Sequence, residues 1–133
     1  MKGDITMYGL YVQSTRAIDY AIALVRGYKP SESRTRDVFK SLDLSQKTAI
    51  IRTVRGRQPE IVGFVTMEKG FHVSPEEFHR MYVGHLVPPG SKYDTDERGK
   101  WLYKVTSWEE LPTPIPLPAD RINHGRSYTE FTL

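Results

Sequence analysis

A short basic segment, residues 27–34, holds the side chains of this sequence that are best suited to chemistry. Glu32 and Arg34 are two residues apart, so in an extended segment they point to the same side. Lys29 reaches the same region through the turn made by Pro30. Together these groups offer a cation for phosphate, a carboxylate that accepts from an amino group and a guanidinium for bidentate contact.

Residue types alone leave the role of this cluster open. A lysine close to an arginine has a lowered pKa and can act as a general base, whereas Glu32 draws the pKa of Lys29 back up. The alternative is a surface network of ion pairs that merely closes a turn between a helix and a strand.

The charge around the cluster favours a negatively charged partner. Residues 26–57 contain nine lysines and arginines against three acids, a net charge of +6, while the whole chain carries +3. This asymmetry predicts an electropositive face.

An aromatic ring that stacks on a base, among arginines that neutralise phosphates, suits a single strand or a flipped base. The predicted nucleic-acid-binding residues are Tyr28, Lys29, Arg34, Arg36, Arg52, Arg55, Arg57 and Arg126. Alternatively, Tyr28 packs on the body of the domain, and the arginines of residues 55–60 are only solvated.

The spacing Gly27-x-Lys29-x-x-Glu32-x-Arg34 resembles the GxKxxExR signature of the ASCH family. The resemblance implies a PUA-like β-barrel with a cleft beside the first helix, used by relatives to recognise RNA or nucleotides. Some bacterial members resemble amidohydrolases that remove an acyl group from modified cytidine with the motif lysine and a threonine, and others have been linked to RNA cleavage. Here Glu32 occupies the threonine position, so the expected hydroxyl nucleophile is missing.

Three functions of different classes follow. The leading one is a binding module that recognises RNA, another single-stranded nucleic acid or a (modified) base or nucleoside in a cleft beside the first helix. The alternative is an enzyme of the same fold, a ribonuclease or a nucleoside amidohydrolase, with Lys29 as base and Glu32 or Glu77 as acid–base partner. A third is an interaction domain that uses a proline-rich strap at residues 111–118.

The histidines do not predict a metal site. His79 and His85 are six residues apart, so they face different directions on a helix. His124 lies close to Arg126 and a serine, but no orienting acid marks a serine–histidine hydrolase. We therefore predict no metal and no cofactor.

Length and composition limit the possible architectures. With 133 residues the chain fits a single domain, residues 1–133, and the absence of cysteine excludes disulfides, thiolate metal sites and a cysteine nucleophile. The first residues lack the apolar run of a signal peptide, and no segment approaches the roughly 20 apolar residues of a membrane span. We expect a cytoplasmic protein without a membrane partner.

The elements that must position the motif follow from local patterns. Residues 7–13 predict a strand, and Thr15 is expected to cap an amphipathic helix over residues 16–26 that Gly27 ends. Serine, proline and glutamate at residues 74–77 form a capping box for a second helix, which ends before Pro88 and whose apolar face includes Tyr82. Further strands are predicted over residues 48–54, 61–67, 101–106 and 127–132, with a hairpin loop at 55–60 and a surface loop at 90–100.

Alternate prolines predict an extended, polyproline-like strap over residues 111–118 that cannot be a central strand. The fold class is α+β, a small mixed β-barrel with flanking helices.

Overall fold

The computed structural model describes residues 6–117 and 126–132, and within them it contains one sheet of seven strands and three short helices. In chain order the elements are β1 (Thr6–Gln13), α1 (Tyr20–Val25), β2 (Ser31–Arg34), β3 (Thr48–Thr53), β4 (Glu60–Met67), β5 (Phe71–Val73), α2 (Pro75–Arg80), α3 (Tyr82–His85), β6 (Lys100–Pro116) and β7 (Tyr128–Thr132). The predicted α+β class is confirmed. No helix in this part of the chain is long and apolar enough to cross a membrane.

The sheet is mixed, with the strand order β2-β6-β4-β3-β1-β7 and with β5 paired to β6. Strands β1 and β3 run parallel, and the remaining pairs are antiparallel. Among the described residues no backbone pairing joins β2 to β7, so closure of the sheet into the predicted barrel is not confirmed.

Both faces of the central strands are covered. Ala49, Ile50 and Ile51 of β3 are fully buried, although successive side chains of a strand point to opposite faces. Ile50 packs in a core cluster that includes residues of α1, whereas its two neighbours pack with Leu117 and Phe131. Burial of a large apolar side chain contributes about 1.5–3 kcal/mol to the free energy of folding. The two apolar layers therefore stabilise the centre of the sheet from both sides.

Helix α1 begins later than predicted. Its N-cap is Asp19, whose carboxylate accepts from the Ile22 N–H at 3.2 Å. The expectation that Thr15 caps the helix is wrong, because the Thr15 hydroxyl instead accepts from the Ile18 N–H at 3.0 Å and closes a separate turn. Aspartate and threonine are both favoured caps, and the tertiary contacts of Asp19 decide between them.

Helix α1 ends at Val25, and Gly27 terminates it as predicted. Gly27 has φ +75°, a backbone conformation that glycine adopts without steric cost. Its N–H donates to the Leu24 carbonyl at 3.3 Å, and the Tyr28 N–H donates to the Ala23 carbonyl at 2.9 Å. This is the Schellman arrangement, and it turns the chain from α1 into β2.

The predicted capping box at the start of α2 is confirmed. The Ser74 hydroxyl accepts from the Glu77 N–H at 3.2 Å, and the Glu77 carboxylate accepts from the Ser74 N–H at 3.0 Å. The helix does not continue as predicted, because it breaks at Met81 into the short helix α3. Tyr82 is 40% exposed, so it does not belong to a buried apolar face.

The proline-rich residues are extended, as expected, but they continue strand β6 as far as Pro116. The second half of β6 pairs with β4, and the Leu117 N–H donates to the Pro59 carbonyl at 2.9 Å. Because alternate residues of a strand direct their backbone groups to opposite sides, the missing N–H of Pro116 faces away from β4. Residue 118 of the predicted strap lies outside the described residues.

Candidate ligand-binding site

The turn after α1 buries Lys29 almost completely. Its backbone N–H donates to the Ala23 carbonyl of α1 at 3.1 Å, and the side chain is only 1% exposed. The Nζ atom donates to the Ser31 carbonyl at 2.6 Å and to Oε1 of Glu32 at 3.0 Å. It also lies 5.6 Å from the centre of the Tyr20 ring. The amine is therefore fixed in position by both hydrogen bonds.

Glu32 is a buried carboxylate with both oxygens occupied. Oε1 accepts from Lys29, and Oε2 accepts from Nε and Nη2 of Arg34 at 3.1 and 2.8 Å. Burial alone raises the pKa of Glu32, but the charges of Lys29 and Arg34 and their hydrogen bonds lower it to about 2. Glu32 is therefore ionised at neutral pH, and it serves as an acceptor instead of a proton donor.

The pKa of Lys29 shifts in the direction that favours a base. Burial lowers the pKa of Lys29, the adjacent Glu32 raises it, and the positive charge of Arg34 lowers it further. The effect of burial dominates, because an amine excluded from water loses the hydration that stabilises its charge.

Arg34 connects the motif to the far side of the sheet. Its Nη2 atom donates to the Tyr11 carbonyl of β1 at 2.7 Å as well as to Glu32. The guanidinium group lies 4.9 Å from the centre of the Phe39 ring. The network of ion pairs that the sequence suggested is thus present, but it is buried and spans two strands.

The network lines a cavity of about 250 Å³. Residues from β1, α1, β2, β3, the start of β6 and the loop segments before β3, β6 and β7 surround it. They are Tyr11, Val12, Gln13, Tyr20, Lys29, Glu32, Ser33, Arg34, Thr35, Thr53, Val87, Tyr93, Lys100 and Arg126. Of the predicted site residues, the fold therefore brings together Lys29, Glu32, Arg34 and Arg126.

The other predicted binding residues lie outside this cavity. Tyr28 is exposed by 68%, and Arg55 and Arg57 are exposed in the loop between β3 and β4. Arg52 is held by Asp19 at 2.7 Å. Arg36 lines a shallow neighbouring depression together with Lys40 and with Arg126, which borders both spaces.

Glu77, considered as an acid–base partner, and His79 and His85, considered as metal ligands, do not line the cavity. The Glu77 carboxylate is occupied by the capping box of α2. His79 bonds to Asp94 on the surface, and His85 packs against Phe78. His124 lies outside the described residues, and no group of residues in the described part of the chain could hold a metal ion.

The cavity residues that the sequence analysis missed include Tyr20, Tyr93 and Lys100. Lys100 and Tyr93 lie in what was expected to be a plain surface loop. The only local signal is that Lys100 is two residues before Leu102, which places a lysine and a core leucine on one face of a strand. Both are buried, with 4% and 0% exposure.

The fold and the site define an α+β domain with a mixed sheet and a buried cationic cavity beside its first helix. No family model and no curated protein matches this chain. Among solved structures, it is similar to ASCH from Zymomonas mobilis, with 17% identity, a TM-score of 0.70 and coverage of 92% of this chain and 85% of that one. Two variants of that protein match in the same way, each with 18% identity, a TM-score of 0.68 and coverage of 92% of this chain. The match covers 86% of the serine-to-alanine variant and 88% of the tyrosine-to-phenylalanine variant. The chain therefore has the fold of these ASCH proteins.

Proposed function

We propose that this chain is an ASCH-type, PUA-like domain that binds nucleic acid or a nucleoside, with a base held in the cavity beside α1. The observation that carries the proposal is the buried Lys29–Glu32–Arg34 network on the wall of a cavity of about 250 Å³. Ligand sites are concave and combine apolar walls with a few fixed polar groups. This cavity combines fixed charges with the rings of Tyr11, Tyr20 and Tyr93.

The basic surface next to the cavity supports a polymeric ligand. Arg126 borders the cavity and also the depression that contains Arg36 and Lys40. A strand whose base enters the cavity would leave its neighbouring phosphates along these cations, which bind phosphate without regard to sequence. Partners of this type are RNA or single-stranded DNA.

Binding is tested with labelled single-stranded RNA and DNA of one sequence by fluorescence anisotropy, at about 50 and 200 mM salt. Wild type binds more tightly at low salt, and Arg126→Ala weakens binding. Arg80→Ala is the matched control, because Arg80 is an exposed arginine at the end of α2, away from the cavity-lining residues. No binding at low salt, with wild type equal to Lys29→Ala, removes the proposal.

One observation also favours the enzymatic alternative. Lys29 is a buried amine with a lowered pKa, and the hydroxyl-bearing residues Ser33 and Thr35 line the same cavity. A ribonuclease or an amidohydrolase acting on modified cytidine would use Lys29 as base, while the ionised Glu32 holds it in place. Single-stranded RNA and acylated cytidines are the test substrates. Turnover that Lys29→Ala and Glu32→Gln leave unchanged comes from a contaminant.

A further inference from the structure

Lys100 is a buried cation that the motif does not explain. Its side chain is 4% exposed, and Nζ donates to the Tyr93 carbonyl at 3.0 Å. Within the described residues it forms no ion pair, whereas Lys29 and Arg34 share Glu32. A buried amine without an ion-pair partner is costly, and burial lowers the pKa of Lys100 even though the charge of Glu32 raises it.

Tyr93 lines the same cavity and carries a second group without a partner. Its hydroxyl is buried and has no hydrogen-bond partner among the described residues. The ring is held edge-on against the Tyr20 ring, with the centres 6.0 Å apart. A buried hydroxyl without a partner costs stability, so a ligand atom that accepts from it restores a hydrogen bond.

The charges that line the cavity do not balance. Four cations, Lys29, Arg34, Lys100 and Arg126, face one carboxylate, that of Glu32. Both oxygens of this carboxylate already accept hydrogen bonds from Lys29 and Arg34. The cavity therefore has an excess of positive charge and a hydroxyl donor without an acceptor. A ligand that neutralises the charge and accepts from the hydroxyl carries an anionic group with several oxygens.

We propose that Lys100 and Tyr93 form a phosphate subsite within the cavity, so that the ligand is a nucleotide with a phosphate group and not an uncharged nucleoside. This inference rests on the proposed function and narrows it to one class of ligand. The phosphate oxygens accept from the Lys100 ammonium group and from the Tyr93 hydroxyl, and Arg126 contributes positive charge at the border of the cavity.

The test compares each of the four ribonucleosides with its 3′- and 5′-monophosphates by calorimetry, with inorganic phosphate as a further probe. Wild type binds at least one monophosphate about tenfold or more tightly than its nucleoside, the effect expected of a charged hydrogen bond. Lys100→Gln removes most of this advantage, because it lowers the affinity for the monophosphate by a larger factor than the affinity for the nucleoside. Lys104→Gln is the control, because Lys104 is an exposed lysine on the same strand.

Tyr93→Phe keeps the proposal testable if Lys100→Gln does not fold. This change removes a hydroxyl without a partner among the described residues, so the melting temperature stays the same or rises while the affinity for the monophosphate falls.

Equal affinity of wild type for nucleosides and monophosphates overturns the phosphate subsite and leaves the proposed function intact. So does an equal loss in Lys104→Gln, or a Tyr93→Phe protein that binds monophosphates as wild type does. Inorganic phosphate that binds as tightly as a nucleotide overturns instead the proposed function, because the base then contributes nothing to the affinity. Failure to bind any nucleoside, nucleotide or single strand overturns both proposals.

Discussion

Arg34 and Tyr11 are joined by a hydrogen bond of 2.7 Å from Nη2 of the arginine to the backbone carbonyl of the tyrosine. Strands β2 and β1, which carry these residues, are not neighbours in the sheet. The side chain of a motif residue thus provides the contact that backbone pairing does not provide, and it holds the cavity wall together.

Arg34→Lys tests this contact, because lysine keeps the charge but lacks the planar fork of donors. Loss of charged hydrogen bonds in this partly buried site is expected to lower the free energy of unfolding by about 1–3 kcal/mol, measured with urea. Arg26→Lys is the control. Arg26 likewise donates two hydrogen bonds to a carboxylate, that of Glu110, at 2.9 Å for both bonds, but on the surface. Equal destabilisation by the two changes contradicts the structural role of Arg34.

Gly27→Ala is expected to destabilise the protein for two reasons, backbone strain and steric overlap. Gly56→Ala, which involves only the first, distinguishes the two effects. Gly27 has φ +75°, and a Cβ atom there would overlap the ring of Trp108. Gly56 has φ +80° but no neighbour within 4 Å. Gly56→Ala therefore incurs only the backbone strain of about 1–2 kcal/mol, and Gly27→Ala must also displace the indole. In a Trp101→Phe background, the tryptophan fluorescence changes with Gly27→Ala and not with Gly56→Ala.

The ion pairs of Glu32 predict acid sensitivity. Because its pKa in the folded protein is about 2, compared with an ordinary value of 4.5, the unfolded chain binds the proton more readily. The contribution of Glu32 to stability is complete above about pH 4.5 and declines as the pH falls towards 2. Carboxyl-carbon NMR of the folded protein follows this residue directly. A midpoint for Glu32 at or above 4.5 contradicts the buried network.

His85 predicts a separate loss of stability at milder acidity. Its ring stacks on Phe78 with centres 3.7 Å apart, Nε2 donates to the Phe78 carbonyl, and Nδ1 accepts from the Val87 N–H at 2.9 Å. Burial lowers the pKa of His85 below its ordinary value of 6.5, so stability declines as the pH falls below about 6.5. Nitrogen NMR at neutral pH should show the neutral tautomer with the proton on Nε2. The opposite tautomer contradicts these hydrogen bonds.

The hairpin arginines provide a test of how far the binding surface extends. Arg55 and Arg57 are exposed and lie outside the cavity lining, whereas Arg126 borders it. If a strand reaches the hairpin, Arg55→Ala and Arg57→Ala each reduce the salt dependence of binding by about one phosphate contact. We expect this reduction in addition to the one caused by Arg126→Ala. An unchanged salt slope in both hairpin variants confines the binding surface to the region of Arg126.

The sequence predicted those elements whose signals are local. Strands β1, β3, β4 and β7 follow from short apolar or alternating runs, and Gly27 and the Ser74 capping box mark helix ends because their hydrogen bonds connect residues a few positions apart. Strands β2 and β5 were missed because they are short and are held by pairing with β6, which lies far away in the chain. The start of α1 was misplaced because Asp19, and not Thr15, receives the supporting contacts from Ser14 and Arg52.

The sequence by itself determined that Lys29, Glu32 and Arg34 meet, because one turn and one short extended segment are enough to bring them together. Only the tertiary structure decided that this cluster is buried and that it faces Tyr93 and Lys100 across a cavity. The physical reason is that burial and charge balance depend on segments that approach through sheet pairing, and a strand register brings together residues whose separation along the chain carries no signal. The excess positive charge of the cavity is such a property of the fold.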